Sequence, residues 1–383
     1  MSTTTSTTTT TTSQAPASYS VALKDKDTLT ASFNYWGSTS IPQESDILRI
    51  FNGSSTELQR VQCPVTDIRA LGLSSFNLST HGFQVLRHSS ALLPPQSDSV
   101  PDFHNTDLIS ATYWPELVSL LKAQLGVRSA AAVNTTVRDV KETDRDGFDP
   151  KNPRFVKQSM QPFFIVHGDY TPAGARAQLR AVVSTYFEDN NNMEGTTESE
   201  RTEFFRLRDE IIAGEEEAMR QEGIGDHWHW SGKNYTGPRW AMLSVWRPLE
   251  PVRRDPLGVM DPRTLLQPST AKPPYIALQR VYKGRPGFAR EFRSENILAV
   301  APDQQQLGNK MHTHQWYYIS QQTPDEVYAL KLFDSEAHRG RGDGGRSESE
   351  EVAQFVAHSA FTLPQQENER LRRSVEVRMM VIW

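Results

Sequence analysis

The chain has 383 residues, of which 37% are hydrophobic and 23% charged, as in an ordinary globular protein with one large domain or two small ones. Its net charge of −5 offers no basic surface for tracking phosphates, so we expect no nucleic-acid partner. One cysteine, Cys63, excludes an intramolecular disulfide, and no apolar run is long enough to cross a bilayer; both favour a cytoplasmic protein without a membrane span.

The first elements follow a biased N-terminal segment. Residues 1–18 are mostly Thr and Ser, a composition that predicts a disordered tail, and we interpret residues 19–383 as a single domain. A strand is predicted at 19–31. Leucines at helical spacing predict a helix at 117–125, and a short apolar run predicts a buried strand at 130–133.

The middle of the chain combines one strand with two helices. The apolar run at 162–166 predicts a strand. Thr171 then supplies an N-cap and Pro172 a first helical turn, so a helix begins here. A second, heavily charged helix is predicted at 198–221. We treat both helices as an insertion spanning about 172–235.

The last third of the chain is rich in strand-forming segments. Strands are predicted at 240–246, 275–282, 291–300, 315–320, 327–333, 355–361 and 374–382. In the last of these, valines and Met379 alternate with Glu376, Arg378 and Met380. Many strands with helices confined to one insertion predict a mainly β (α+β) protein with a closed or sandwiched β core.

The sharpest local motif is His167-Gly168-Asp169 at the end of an apolar strand. Side chains two residues apart in a strand point to the same face, so His167 and Asp169 can reach one metal ion. Gly168 leaves room where another chain or a ligand approaches. Two histidines and one carboxylate on one face of iron leave three positions open for substrate and O2. The same triplet is also compatible with a strand end followed by a capped helix.

A second histidine and an arginine near the C-terminus complete such a site. His358 lies in a short apolar run, and Arg372 follows it after a strand end and a loop. This spacing predicts that the two lie on adjacent antiparallel strands facing one cavity. A guanidinium there can bind a carboxylate with two hydrogen bonds, and Ser374 faces the same way, which is what holding the distal carboxylate of 2-oxoglutarate requires.

Five ordered motifs then carry a family resemblance. They are 134–138 (NTTVR), 167–175 (HGDYTPAGA), 245–248 (VWRP) with 252–257 (VRRDPL), 314–318 (HQWYY) with 323–326 (TPDE) and 333–335 (FDS), and 357–361 (AHSAF) with 372–378 (RRSVEVR). Through these motifs the chain resembles the fungal and bacterial hydroxylase/desaturase family of secondary metabolism, the AsaB type. That family includes the gibberellin desaturase and cephem methoxylase-related proteins. The resemblance as a whole extends from about Tyr19 to Trp383.

The resemblance implies a double-stranded β-helix (jelly-roll or cupin-like) core and an enzyme that uses Fe(II), O2 and 2-oxoglutarate. Carried over to this sequence, it implies that His167, Asp169 and His358 are the catalytic metal ligands. It also implies that Arg372, with Ser374, binds 2-oxoglutarate. The chain departs from the family pattern at Arg373, which leaves open which arginine faces the cavity, and at 227–230 (HWHW).

Other residues compete for the metal roles. His314 is the rival third ligand, and it precedes an aromatic strand. His312 with His314 could chelate as a pair two residues apart, but Arg372 would then have no purpose. His227 and His229 have the same spacing and no apolar strand before them.

Substrate contacts are predicted at Arg247, His314, Trp316 and Tyr318. Arg247 could bind a substrate carboxylate, or pair with Asp255 or Asp261 to hold a loop between two prolines. The aromatic residues could line an apolar pocket, although core packing accounts for each of them separately.

Three functions fit these features. The first is an Fe(II)/2-oxoglutarate-dependent dioxygenase that hydroxylates or desaturates a natural-product intermediate in secondary metabolism. The second is an iron enzyme of the same fold that catalyses rearrangement, epoxidation or peroxide formation. The third is a β-barrel binding protein without catalysis, and the complete His, Asp, His and Arg set weighs against it.

Overall fold

The structure is a computed structural model that describes residues 28–42, 46, 49–50, 55–93, 103, 105–138, 147–148, 155–158, 162–183, 197–266, 273–282, 292–302, 314–340, 352–364 and 366–383. The predicted tail at 1–18, and His312, lie outside the described residues. The single-domain boundary at residue 19 therefore stays a prediction.

Strands dominate the described part of the chain. They are β1 Thr28–Trp36, β2 Leu58–Asp67, β3 Phe83–Arg87, β4 Ser129–Arg138, β5 Gly147–Phe148, β6 Phe155–Gln158, β7 His167–Gly168, β8 Trp240–Pro248, β9 Leu257–Met260, β10 Tyr275–Tyr282, β11 Phe292–Ala299, β12 Trp316–Tyr318, β13 Glu326–Asp334, β14 His358–Ala360 and β15 Ser374–Ile382. The α-helices are α1 Ile68–Leu71, α2 Leu78–His81, α3 Thr106–Leu108, α4 Trp114–Leu125, α5 Pro172–Ala177, α6 Glu198–Glu222 and α7 Pro262–Leu265.

The strands form two sheets that face each other. The first has the order β1-β2-β12-β9-β14-β7-β11-β10, and the second β3-β13-β8-β15-β4-β6-β5. One buried apolar cluster joins Trp246 and Tyr328 of the second sheet to Leu257 and Val259 of the first, so these side chains fill the space between the sheets. We call the face of each sheet that carries them its inner face.

The first sheet curls until β1 returns to the chain just before β7. Asn34 bridges Ile165 in parallel, and the Val166 amide donates to the Asn34 carbonyl at 2.9 Å. The curl encloses a second apolar cluster around Phe33 and Trp316, whose rings stack 3.9 Å apart. Because side chains alternate along a strand, this enclosed cluster lies on the face opposite the inner face.

The outer face of the second sheet is covered by α4. The helix begins with Pro115 in its first turn and ends at Gly126, which adopts the left-handed conformation at φ 66° that glycine tolerates best. Its leucines pack on the odd-numbered residues of β15, Val375 to Val381. The even-numbered residues of β15 therefore point to the inner face, as the alternation predicts.

A long helix, α6, closes one end of the space between the sheets. Thr197 and Glu200 form a reciprocal capping box at its start. Its apolar side packs on inner-face residues of the second sheet such as Met242 and Met380, and the rest of its surface is charged. Both α5 and α6 lie within the predicted insertion.

Some predicted elements differ from the structure. The strand predicted at 162–166 is wrong in position, because pairing in a named strand begins only at His167 and covers two residues. Five strands, β2, β3, β5, β6 and β9, were not predicted. The strand predicted at 240–246 extends two residues further and ends with Pro248.

Candidate metal and co-substrate site

Two histidines face each other across neighbouring strands. β7 pairs with β14 so that His167 lies directly opposite His358, and directly paired residues share one face of a sheet. The two imidazole rings are 4.3 Å apart between centroids. His358 is also paired with Val259, which places both histidines on the inner face.

Both imidazoles are oriented by the backbone. Nδ1 of His167 lies 2.7 Å from the Ile165 carbonyl, and Nδ1 of His358 lies 3.2 Å from the Val356 carbonyl. A carbonyl only accepts, so each Nδ1 carries the proton and donates it. Each Nε2 therefore keeps a lone pair, as a metal ligand requires.

Asp169 joins the histidines from the turn that follows β7. Its Oδ1 is 3.9 Å from His167 Nε2, and one ligand atom from each of the three residues lies within 4.8 Å of the other two. The Phe355 ring packs so closely on Gly168 that a side chain at this position would press on it. The predicted close approach to Gly168 is therefore confirmed. Thr171 then caps α5, accepting from the Gly174 amide at 3.0 Å.

The charge state of these residues suits a cation. Burial, helped by the nearby His358, lowers the pKa of His167 to about 3, so the imidazole is neutral. Burial alone would raise the pKa of Asp169, but Arg378 and the two histidines outweigh it and hold that pKa well below its usual range. Two imidazole nitrogens and one carboxylate oxygen form the donor set that Fe(II) accepts in oxygenases.

Two residues outside the predicted set hold Asp169. Arg378 of β15 reaches across from the second sheet and donates from Nε to Oδ2 at 3.1 Å and from Nη2 to Oδ1 at 3.2 Å. Asn296 of β11 donates from Nδ2 to the Asp169 backbone carbonyl. Arg378 belongs to the last family motif, and a charged residue on the inner face of a buried strand was the one available indication of its role.

Arg372 lies two residues before β15, which belongs to the second sheet. His358 lies in β14, which belongs to the first. The prediction of adjacent antiparallel strands is therefore wrong, because the chain crosses from one sheet to the other between them. The two residues still share the space between the sheets. The Arg372 guanidinium carbon lies 4.9 Å from the ring centre of Trp246, which belongs to the inner-face cluster.

The surroundings of Arg372 fit an anionic ligand. Its Nη1 donates to the Asp255 carbonyl at 2.7 Å, while its buried Nε has no hydrogen-bond partner in the part of the chain that the structure describes. Burial, together with the nearby Arg138, lowers the pKa of Arg372 to about 9. A buried guanidinium with an unused donor is suited to a carboxylate such as that of 2-oxoglutarate. Ser374, on the same strand face as Arg378, is also buried.

Arg373 is buried too, but it is the immediate neighbour of Arg372 and its backbone carbonyl accepts from the Leu249 amide. Neighbouring residues in extended chain point to opposite faces. Of the two arginines, Arg372 is thus the one placed over the inner-face Trp246.

His314 occupies a different part of the molecule. Its Nδ1 is hydrogen bonded to the hydroxyl of Tyr35 at 2.9 Å, and Trp316 Nε1 donates to the same hydroxyl at 3.2 Å. Trp316 and Tyr318 belong to the cluster enclosed by the curled sheet. Tyr317, which pairs with Val259, is the residue of this strand that shares the face of His358. None of the three predicted substrate contacts in this segment is therefore placed beside the metal ligands.

Arg247 lies on the outer face of β8. Its Nε donates to the hydroxyl of Tyr113 at 2.9 Å and its Nη1 to the His88 carbonyl at 3.0 Å. Pairing with Asp255 or Asp261 is wrong, because these carboxylates bind Arg254 and Arg263 instead. The guanidinium holds α4 and a loop to the sheet.

The pair His227 and His229 is divided between different contacts. His229 bonds the side chain of Asp226 at 2.9 Å on the surface, and His227 packs against Trp228. Within the residues that the structure describes, the one group of histidine, cysteine and acidic side chains close enough to hold a metal is His167, Asp169 and His358.

This geometry agrees with a comparison against protein families. The model of an oxidoreductase/YMDC permease-like domain matches residues 33–197 and 217–382. The chain belongs to this family. No helix among the described residues combines the length and apolar character needed to span a membrane.

Relatives of known name cover most of the chain. A gibberellin cluster GA4 desaturase of Gibberella fujikuroi is 29% identical over 83% of this chain and 86% of its own length. The oxidoreductase chry3 of Gibberella zeae is 28% identical over 84% and 90%. An alpha-ketoglutarate-dependent dioxygenase, phiK, of a fungal species is 26% identical over 90% and 91%. The predicted resemblance to the hydroxylase/desaturase family is confirmed.

A solved structure supports the architecture. The iron and alpha-ketoglutarate-dependent endoperoxidase NvfI matches with a TM-score of 0.56 and 19% identity, over 94% of this chain and 99% of that one. At this identity the match shows the fold. It confirms the predicted double-stranded β-helix, and together the comparisons confirm an enzyme of the dioxygenase type.

Proposed function

We propose that this protein is an Fe(II)/2-oxoglutarate-dependent oxygenase that hydroxylates or desaturates a natural-product intermediate of secondary metabolism. The observation that carries the proposal is the convergence of His167, Asp169 and His358 on the inner face of a double-stranded β-helix. Fe(II) and 2-oxoglutarate agree with the dioxygenases among its relatives.

In this proposal His167 and His358 bind iron through Nε2, and Asp169 binds it through a carboxylate oxygen. The protonated Nδ1 atoms keep both rings in place through the backbone carbonyls of Ile165 and Val356. Two histidines and one carboxylate leave three positions for the co-substrate and O2. When bound, iron with 2-oxoglutarate supplies the oxidising power to break an unactivated C–H bond.

Arg372 is the proposed partner of the distal carboxylate of 2-oxoglutarate, with Ser374 as a second donor. The unused buried Nε of Arg372 supports this role, as does the position of its guanidinium over the Trp246 ring. The three proposed metal ligands lie on or directly after strands of the first sheet, whereas Arg372 lies just before β15 and Ser374 at its start, in the second sheet. This arrangement suits a short dicarboxylate that bridges the space between them.

The substrate is proposed to be a small, largely apolar molecule. The inner face next to His358 carries Val259, Tyr317 and Trp246, which offer apolar and aromatic surface rather than charge. The gibberellin desaturase among the relatives is consistent with a natural product of this kind. The free, buried thiol of Cys63 is compatible with the expected cytoplasmic location.

The test is turnover of 2-oxoglutarate by the purified protein. With Fe(II) and O2 we expect succinate to form, and His358→Ala to abolish it. Mass spectrometry of a natural-product panel then identifies the class of reaction: one added oxygen means hydroxylation or epoxidation, and the loss of two hydrogens means desaturation. Iron-independent turnover, or none with any substrate, would contradict the proposal. An unchanged product mass would instead favour a rearrangement.

A further inference from the structure

The ion pair between Arg378 and Asp169 uses both carboxylate oxygens of a proposed metal ligand. Nε donates to Oδ2 at 3.1 Å and Nη2 to Oδ1 at 3.2 Å, so the guanidinium faces the carboxylate side-on. Oδ1 is the oxygen that lies 3.9 Å from His167 Nε2, and it is therefore the one turned to the metal site.

Each carboxylate oxygen has two lone-pair directions. A carboxylate can bind a metal through one oxygen, or through both, by presenting the side that lies between them. A side-on guanidinium occupies that side. Oδ1 then keeps one further lone pair for a metal, whereas Oδ2 is held away from it.

From this geometry, and resting on the proposed function, we propose that Arg378 is a positioning residue that restricts Asp169 to one-oxygen coordination of iron. Chelation by both oxygens would use an additional coordination position. 2-Oxoglutarate needs two positions and O2 needs one, so a second oxygen from Asp169 would compete with the co-substrate. Arg378 thus maintains the vacancy on which the reaction depends.

The fold holds this pair rigidly from both sides. Arg378 comes from the centre of β15, which is hydrogen bonded to β8 and β4 along its length. Glu376 lies 3.3 Å from Arg378 Nε and the Tyr170 ring lies 5.7 Å from its guanidinium carbon. On the other side, Asn296 donates to the Asp169 backbone carbonyl and anchors the turn that carries the carboxylate.

The test compares metal affinity with co-substrate affinity in the full-length protein. Fe(II) affinity is measured anaerobically by competition with a chromogenic chelator. 2-Oxoglutarate affinity is measured from the charge-transfer band of the iron-loaded protein. In Arg378→Met we expect 2-oxoglutarate to bind on the order of tenfold or more weakly. Fe(II) should bind at least as tightly as in the wild type, because both Asp169 oxygens then become available to it. A merely structural role would weaken both.

Arg378→Lys separates fork geometry from charge. Lysine keeps the positive charge but cannot engage both oxygens side-on. We expect it to lose 2-oxoglutarate affinity as Arg378→Met does. Wild-type affinity in Arg378→Lys would overturn the proposal, because charge alone would then suffice, and so would weaker Fe(II) binding in Arg378→Met.

A matched control is present elsewhere in the chain. Arg239 contacts both oxygens of the buried Asp334 in the same side-on manner, at 3.1 and 2.6 Å, and Asp334 is not a member of the metal group. Arg239→Met, once circular dichroism shows that the variant is folded, should bind both Fe(II) and 2-oxoglutarate like the wild type. If the wild type itself forms no charge-transfer band, the proposed function fails. If every Arg378 variant forms the wild-type band, the proposed function stands and the role of Arg378 fails.

Discussion

Replacing Arg372 should separate co-substrate binding from stability. Its guanidinium is buried and makes one hydrogen bond, to the Asp255 carbonyl, in the described part of the chain. Burial lowers its pKa to about 9, which means that the charge is poorly compensated in the protein alone. Arg372→Met keeps most of the apolar contact with Trp246 and removes the charge. We therefore expect no loss of stability without ligand.

The magnitude follows from the hydrogen bonds left for a carboxylate. The free Nε and one further N–H allow two charge-assisted hydrogen bonds, each worth about 1.5–3 kcal/mol. Losing both costs at least about 3 kcal/mol, or roughly a hundredfold in 2-oxoglutarate affinity. Isothermal titration calorimetry under argon, with iron-loaded protein, measures this change directly.

Arg370→Met is the control for Arg372→Met. Arg370 is two residues away and pairs with Glu250 on the surface, where an ion pair contributes little. It should bind 2-oxoglutarate like the wild type. The reasoning is refuted if Arg372→Met binds 2-oxoglutarate as tightly as the wild type, or if it loses stability and affinity together.

Three further predictions concern the surrounding fold. Gly174→Ala should lower the free energy of unfolding by about 1–3 kcal/mol, since its methyl group would overlap the Glu295 carbonyl where α5 meets β11; urea denaturation measures this, and an unchanged midpoint would contradict it. Burial lowers the pKa of His338 from 6.5 to about 4, so the folded state resists a proton that the unfolded state takes up, and stability falls as the pH drops from about 6.5 towards 4. Lowering the pH from about 7.5 to about 5 should therefore reduce the free energy of unfolding of the wild type by about 2 kcal/mol, a loss that His338→Phe should not show. The same pH dependence in both proteins would refute this role of His338. His314→Leu should destabilise the protein by about 1–2 kcal/mol through its hydrogen bond with Tyr35 and leave Fe(II) affinity unchanged, whereas loss of iron would restore His314 as a ligand.

The sequence predicts the parts of the fold that depend on local patterns. The alternation in β15 identifies its two faces, and the structure shows that α4 packs on the valine side. Thr171 and Pro172 mark the start of α5 because capping is a property of adjacent residues. β9 has only four residues, too few for an alternating pattern that predicts a strand. It forms because it pairs with β12 and β14.

The candidate site is partly readable for the same reason. His167 and Asp169 are close in sequence, so their convergence follows from the backbone alone. Which sheet holds Arg372 depends on how the chain crosses between sheets, and sequence spacing does not contain that information. Likewise, the aromatic segment that begins at Trp316 gives no indication of which face is enclosed by the curl of the first sheet.

Arg378 shows a further limit. In the sequence it is one of several arginines near the C-terminus, and its partner Asp169 is 209 residues away. The contact becomes visible only in the folded protein, where β15 lies opposite the turn that follows β7. A buried charge on a strand face that otherwise packs inward is the pattern that can point to such a residue in advance.

The most direct test of the central claim is anaerobic addition of Fe(II) and 2-oxoglutarate to the purified protein, followed by visible absorption spectroscopy. With His167, Asp169 and His358 as ligands, the wild type should develop the metal-to-ligand charge-transfer band of a chelated 2-oxo acid, and His358→Ala should not. A band of full intensity in His358→Ala, or iron binding without any band in the wild type, would contradict the assignment of this site.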